Sequence, residues 1–184
     1  SLQLQNVAKN TTEGGDVAVS YQFDVQDIGL GDHGSVAIRA LYTNTWDLTF
    51  TPDEISSPLK CADRFGPNCN GGGTGITPRH KLNSTIAWKY KDFGVNLIWN
   101  HLDDVTDDNP SNNFTVERIG AKNYFNMSVD WAATEEVAFT VGVRNLTQES
   151  YPVLGGNASP SNSGYPNTYD VLGRVFFVNA SLRY

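Results

Sequence analysis

From Asp16 to Val25 apolar side chains fall on every second residue: Val17, Val19, Tyr21, Phe23 and Val25, with Ala18, Ser20, Gln22 and Asp24 between them. Side chains alternate faces along an extended chain, so a period of two predicts a β-strand with one apolar and one polar face. The pattern returns from Ser35 to Trp46, where Val36, Ile38, Ala40, Tyr42 and Trp46 share a face, and from Leu82 to Tyr90, where Leu82, Ile86, Trp88 and Tyr90 do. It continues in Val95, Leu97 and Trp99 set against Asn96 and Asn100, then in Phe125, Met127, Val129 and Trp131 set against Asn126, Ser128 and Asp130. Val137, Phe139, Val141 and Val143 mark a sixth strand. A seventh runs from Arg174 to Tyr184, with Phe176, Val178, Ala180, Leu182 and Tyr184 on one side and Phe177, Asn179, Ser181 and Arg183 on the other. No helical period competes with these runs.

The connections between the strands alternate in length. Short turns at 26–33, 91–93 and 132–136 take turns with long loops at 47–78, 103–123 and 147–169. Antiparallel strands joined this way place every turn at one end of the sheet and every loop at the other. A long loop without structure of its own is unusual in a compact soluble domain, whereas outer-membrane barrels carry such loops on their outer side. Trp46, Tyr90, Trp99, Trp131 and Tyr184 fall near strand ends, where aromatic girdles sit at a membrane interface. The fold class expected is all-β, a transmembrane antiparallel up-and-down β-barrel. Bacterial single-chain barrels use even strand numbers, so seven strands imply a portion of a larger barrel or an unrecognised eighth strand.

Composition narrows the function. A chain with 13 Lys and Arg against 20 Asp and Glu, and no basic cluster, excludes nucleic acid as a partner. No window of 18 consecutive apolar residues exists, so no helix spans a membrane, as expected where strands do the crossing. Ser1 is not a start residue and no signal-peptide pattern follows it, so the chain reads as processed or cut at its amino end. Cys61 and Cys69 lack the histidine or second cysteine pair that a tetrahedral zinc shell needs. They read as a disulfide formed in an oxidising compartment, with two free thiols as the alternative. The glycine-rich run at 70–75 lacks the Lys-Ser/Thr ending of a phosphate cradle. Asp103, Asp104, Asp107 and Asp108 carry enough oxygens for calcium but not the usual loop spacing, and a solvated acidic loop is the preferred reading. His33, His80 and His101 are scattered, with no nucleophile and orienting acid in a triad arrangement. Asp24 and Asp130 are the obvious strand carboxylates for a hydrolase, a distant third reading behind a barrel and a soluble β-sandwich. The sequence thus points to no enzyme, no cofactor and no metal site.

The stretch Val141-Gly-Val-Arg-Asn-Leu-Thr-Gln-Glu-Ser-Tyr-Pro152, followed by a Gly/Asn/Ser/Pro-rich loop and Asn167-Thr-Tyr-Asp-Val-Leu-Gly-Arg174, resembles the carboxy-terminal end of TonB-dependent outer-membrane receptors. In that family the penultimate strand closes with an Asn-Leu pair, here Asn145-Leu146, and the last opens with an aromatic residue and Gly-Arg, here Tyr169 and Gly173-Arg174. Pro78-Arg-His-Lys and the glycine-bearing strand around Glu13 to Asp16 are also similar to the family, although Gly15 and Asp16 replace its usual apolar residue and Glu. The resemblance implies that residues 1–184 are the carboxy-terminal segment of a barrel of about 22 strands whose plug lies amino-terminal to it. It implies location in the bacterial outer membrane, lipid contact, and energy-coupled uptake of a small molecule such as a ferric siderophore or other iron chelate. TonB would act through a plug that this chain does not carry. Lys89, Asn100 and Arg144 are candidate ligand contacts on the lumen side, and Phe176 and Tyr184 resemble the terminal signal read by the barrel-assembly machinery. The alternative is a small self-contained outer-membrane barrel with a structural, adhesion or pore role.

Overall fold

The computed structural model describes residues 8–70, 76–109, 111, 116–154 and 164–183. Two long strands open the chain, β1 (Lys9–Asp24) and β2 (Ser35–Thr51), joined through a 3-10 turn at Val25–Ile28. The first long loop contributes two-residue strands β3 (Leu59–Lys60) and β4 (Arg64–Phe65) and a single helical turn at Pro67–Asn70. A hairpin follows, β5 (His80–Tyr90) and β6 (Phe93–Leu102). The second long loop holds β7 (Val105–Asp107) and β8 (Arg118–Ile119). β9 (Lys122–Ala132), β10 (Val137–Arg144) and, after the third loop, β11 (Val175–Leu182) complete the chain.

The seven long strands form one antiparallel sheet in the order β1-β2-β5-β6-β9-β10-β11, each beside its neighbour along the chain. Among the described residues β1 and β11 each have one such neighbour, so the sheet is an open wall and not a closed cylinder. Residues opposite one another in an antiparallel pair share a face. Tyr21, Ile38, Ile86, Leu97, Met127, Val143 and Phe176 therefore make one unbroken apolar row across all seven strands. Phe23, Val36, Trp88, Val95, Val129, Val141 and Val178 make the next. Between them runs Gln22, Ala37, Ala87, Asn96, Ser128, Gly142 and Phe177, on the opposite face. That face is mainly polar, with Leu41, Ile98, Leu102, Val175 and Phe177 among its apolar exceptions.

Aromatic rings bound the apolar face at both ends. At the turn end Trp88 stacks on Tyr90, Phe93 on Trp131 and Trp131 on Phe139, with centroids 6.2, 6.3 and 5.9 Å apart. At the loop end Trp99 stacks on Phe125 at 6.0 Å and Tyr42 on His80 at 5.9 Å. Phe93 and Trp99 are six residues apart on one strand, so the two belts are about 20 Å apart. That is close to the height of the apolar band of an outer-membrane barrel, about 25 Å.

The structure departs from the sequence reading in three places. β1 begins at Lys9, seven residues before the alternation becomes visible, because Glu13-Gly14-Gly15 interrupts the pattern but not the pairing. β2 runs on to Thr51, and its register shifts opposite Glu13 and Gly14, which leaves Trp46 as the extra residue of a bulge. A Cβ on Gly14 would meet the Asn44 carbonyl oxygen at 2.6 Å, so the bend is built on a residue without one. The third departure is the largest. The long loops are not structureless: they fold together into a cap over the loop end of the sheet.

The cap has its own small sheet, β4-β7-β8, in which β4 pairs parallel with β7 and β7 antiparallel with β8. Its core draws Phe65 and Ile76 from the first loop, Val105 and Ile119 from the second, and Leu154, Tyr165 and Tyr169 from the third. All are 5 % exposed or less, whereas most of the large apolar residues on the sheet's outward face are open. Among the described residues the larger buried cluster is thus in the loops. Cys61 and Cys69 are joined, with Cα atoms 5.4 Å apart, and the bridge packs on Leu48 and Phe50 at the end of β2.

Candidate functional site

A cavity of about 650 Å3 lies where the cap meets the polar face of the sheet. β6 supplies Asn96, Ile98, Asn100 and Leu102 to its wall, β9 supplies Tyr124, Asn126 and Ser128, and β10 supplies Arg144. Alternation explains this grouping, since Asn96, Ile98 and Asn100 are two residues apart and face Ser128, Asn126 and Tyr124 across the β6–β9 pair. The remaining wall comes from the third loop as it returns to β11, through Thr168, Asp170 and Leu172, and from Val175 and Phe177.

The residues that end β10 hold this wall in place. Asn145 has a backbone φ of +51° and is fully buried. Its side-chain amide donates to the Glu149 carbonyl oxygen at 2.9 Å and its side-chain oxygen accepts from the Glu149 amide at 2.7 Å. Its own backbone amide donates to the Asn126 side-chain oxygen at 2.9 Å, and Leu146 donates to the Phe125 carbonyl at 2.7 Å. An asparagine tolerates the left-handed region and can satisfy both groups of a tight turn, which gives Asn145-Leu146 its physical meaning. Lys122 adds an ion pair to Glu149 at 2.8 Å, on the polar side of β9. Gly173, at φ +70°, allows the corresponding turn into β11. The Phe177 ring lies against Gly142, where any Cβ would collide with the ring and meet the Met127 carbonyl oxygen at 2.8 Å.

The hydrogen-bonding groups of the cavity are unevenly engaged. Asn96 donates to Asp130 at 2.7 Å, and Asp130 also accepts from Thr140 at 2.6 Å. Asn83 donates to Asn100. Asp170 accepts from the Leu172 amide at 2.9 Å, within its own loop. The guanidinium of Arg144 has no ion-pair or hydrogen-bond partner among the described residues.

Above the cavity the cap is tied by specific contacts. The Gly66 amide donates to the Tyr165 hydroxyl at 2.9 Å, and burial pushes that phenol up to about 12. Burial raises Tyr169 as well. Both stay neutral through the physiological range and act as packing groups. Asp108 accepts from the Cys69 amide at 2.7 Å and from Asn68 at 3.3 Å, linking the second loop to the disulfide-closed turn, and burial holds its carboxyl above the usual range. Asp104 pairs with Arg118 at 2.8 Å, and that hydrogen bond keeps it below the usual range. Asp107 is buried, and its amide donates to the Glu117 carbonyl oxygen at 3.0 Å. Asp103, Asp104 and Asp108 thus have carboxylates that accept hydrogen bonds within the loops, where a solvated run was expected from the sequence.

Lys89, Asn100 and Arg144 all lie on the polar face, but the structure brings together only two of them. Asn100 and Arg144 line the cavity. Lys89 stands at the turn end of β5, opposite Ser35 and Gly94. Asn96, Asn126, Thr168 and Asp170 were missed: the first two carry the same alternation signal as Asn100, while the other two arrive through a loop whose path no periodicity marks. His80 and His101 sit on the outward face, His80 beside the Tyr42 hydroxyl at 2.7 Å and His101 beside Asn123 at 3.0 Å, away from the cavity. Asp24 and Asp130 share a row but stand four strand steps apart, about 19 Å. A carboxylate pair for glycoside hydrolysis needs about 5 to 10 Å, so they form no such pair. Phe176 is outward and open on β11. Tyr184 and the run at 71–75 lie outside the described residues.

Residues 1–146 match the family model described as TonB dependent receptor-like, beta-barrel. Among curated proteins none matches the chain. Two solved structures are similar to it, both mutants of the ferric enterobactin receptor PfeA from Pseudomonas aeruginosa. The single-site mutant is 11% identical with a TM-score of 0.47, over 95% of this chain and 31% of the receptor chain. The double-site mutant is 12% identical with a TM-score of 0.46, over 94% and 31%. The chain thus spans about a third of the length of those receptors.

Proposed function

Because the chain belongs to the TonB-dependent receptor-like β-barrel family, whose members are transporters of the bacterial outer membrane rather than enzymes, we propose that it is the carboxy-terminal part of a barrel that takes up a scarce small molecule, such as a ferric siderophore. The observation that carries this reading is the two-faced sheet. Its apolar rows between two aromatic belts suit contact with lipid on one side, and its amide-rich polar face suits a water-filled lumen on the other. The strands perform no covalent chemistry; they hold Asn100, Arg144 and their neighbours beneath a packed cap, where a ligand arriving from outside first meets the lumen. Release inward requires work from TonB on a plug, which belongs to a part of the protein outside this chain. Phe176, outward on the last strand, together with Tyr184, is the pattern proposed to be read by the barrel-assembly machinery. A small self-contained barrel would need β1 to pair with β11, and among the described residues the two stand at opposite edges.

The test is uptake of radiolabelled iron chelates by cells that carry the full-length gene as their sole candidate receptor, with and without a working TonB. Accumulation of at least one chelate that depends on both the gene and TonB is expected. Accumulation that is unchanged by loss of TonB would replace the receptor with a passive pore.

A further inference from the structure

The cavity wall is not uniformly polar. Ile98, Leu172, Val175 and Phe177 line it, and Arg144, the last residue of β10, lies one step past the Met127–Val143 pair, beside Asn126 of β9; Ile98 flanks Asn126 on one side and Val175 flanks Arg144 on the other. The Asn126 side-chain oxygen is taken by the Asn145 amide, so its free group is the NH2 donor. Asp170, the one acidic side chain among the described residues of the wall, accepts from the Leu172 amide within its own loop and forms no ion pair with Arg144. Asp130, deeper toward the turns, is occupied by Asn96 and Thr140. The result is a cation with an adjacent amide donor, both without a partner among the described residues, beside an apolar shelf.

We propose that this cavity is a subsite for a carboxylate borne on a partly apolar small molecule, with Arg144 as the residue that holds the carboxylate. The proposal rests on the receptor reading and adds to it a ligand chemistry and a specificity-determining residue. A guanidinium presents two parallel N–H groups that match both oxygens of a carboxylate, and Asn126 supplies a third donor from the neighbouring strand. The apolar shelf offers the rest of the molecule a surface to cover, and Arg144, which is exposed, can be reached by the carboxylate. A neutral amide of the same shape fills the shelf equally well but leaves the guanidinium without a counter-charge.

Benzoate and its neutral isostere benzamide are the probes, titrated by ligand-observed NMR against the full-length protein in lipid nanodiscs. Benzoate is expected to bind about tenfold more tightly than benzamide, the scale of a charge-assisted hydrogen-bonded pair over a neutral one. Arg144→Gln should bring the two within about twofold, with benzamide binding unchanged, and Arg144→Lys should keep part of the preference because it retains the charge and loses the fork. Lys89→Gln removes a cation from the same face but not from the cavity, and should leave the preference intact. Heat-modifiable mobility on gels confirms that each variant is a folded barrel. Equal binding of the two probes to the wild type overturns the proposal, as does a preference that survives Arg144→Gln or one that Lys89→Gln removes equally. Probe discrimination without TonB-dependent uptake would retract the receptor reading alone, and uptake without discrimination would retract the subsite alone.

Discussion

Asn145 shows how much structure a single side chain can carry. It sits in the left-handed region, fully buried, and closes a ring of two hydrogen bonds with the Glu149 backbone while its own amide reaches across to Asn126. Alanine removes both side-chain bonds and adds strain at a positive φ, a combined cost of about 2–4 kcal/mol. Glycine removes the bonds without the strain and should cost about 1 kcal/mol less. Urea unfolding of Asn145→Ala and Asn145→Gly in detergent micelles measures both; equal stability of Asn145→Ala and wild type would mean the turn is held by something else. Asn145-Leu146 was legible in the sequence only as a family-like pair. Its reason was not, because nothing in the string tells which backbone groups a side chain will find.

At the level of elements the strands were readable and the cap was not. Val17 to Phe23 or Val137 to Val143 repeat one rule several times over, and each repeat adds to the signal. The cap's core residues, by contrast, arrive singly from three loops: Phe65, Val105, Ile119, Tyr169. β4 and β8 are two residues long, and β4 pairs with β7 across some forty residues of chain. No local period can encode that. The cysteines were legible, since two thiols without a nearby histidine or second cysteine pair cannot complete a metal shell. Closing a loop over a sequence separation of 8 should stabilise the cap by about 2.5 kcal/mol through the unfolded chain. Replacing Cys61 and Cys69 together by alanine should therefore raise amide exchange through 59–70, where the turn is tied to Asp108, while the ladder of β5 and β6 stays protected. Loss of protection in the strands as well would show that cap and wall unfold as one unit.

For the molecule as a whole, one arrangement accounts for most of the sequence. Apolar positions that meet across every strand pair form an outward surface, polar positions form the inner one, and the loops gather above. The candidate site was half visible beforehand: the face of Lys89, Asn100 and Arg144 followed from alternation, but which of them share a cavity depends on strand register and on where the third loop returns. Both are set by long-range pairing.

The most direct test of this two-faced wall is a nitroxide scan of β10 from residue 137 to 144 in the full-length protein in lipid bilayers, using single cysteine variants, since Cys61 and Cys69 are already bonded to each other. Oxygen collects in lipid and a nickel chelate stays in water, so their relative collision rates report which side a label faces. The structure requires labels at Phe139, Val141 and Val143 to favour oxygen, and those at Ala138, Thr140 and Arg144 to favour the nickel chelate. A flat profile, or the same alternation shifted by one residue, would contradict the account.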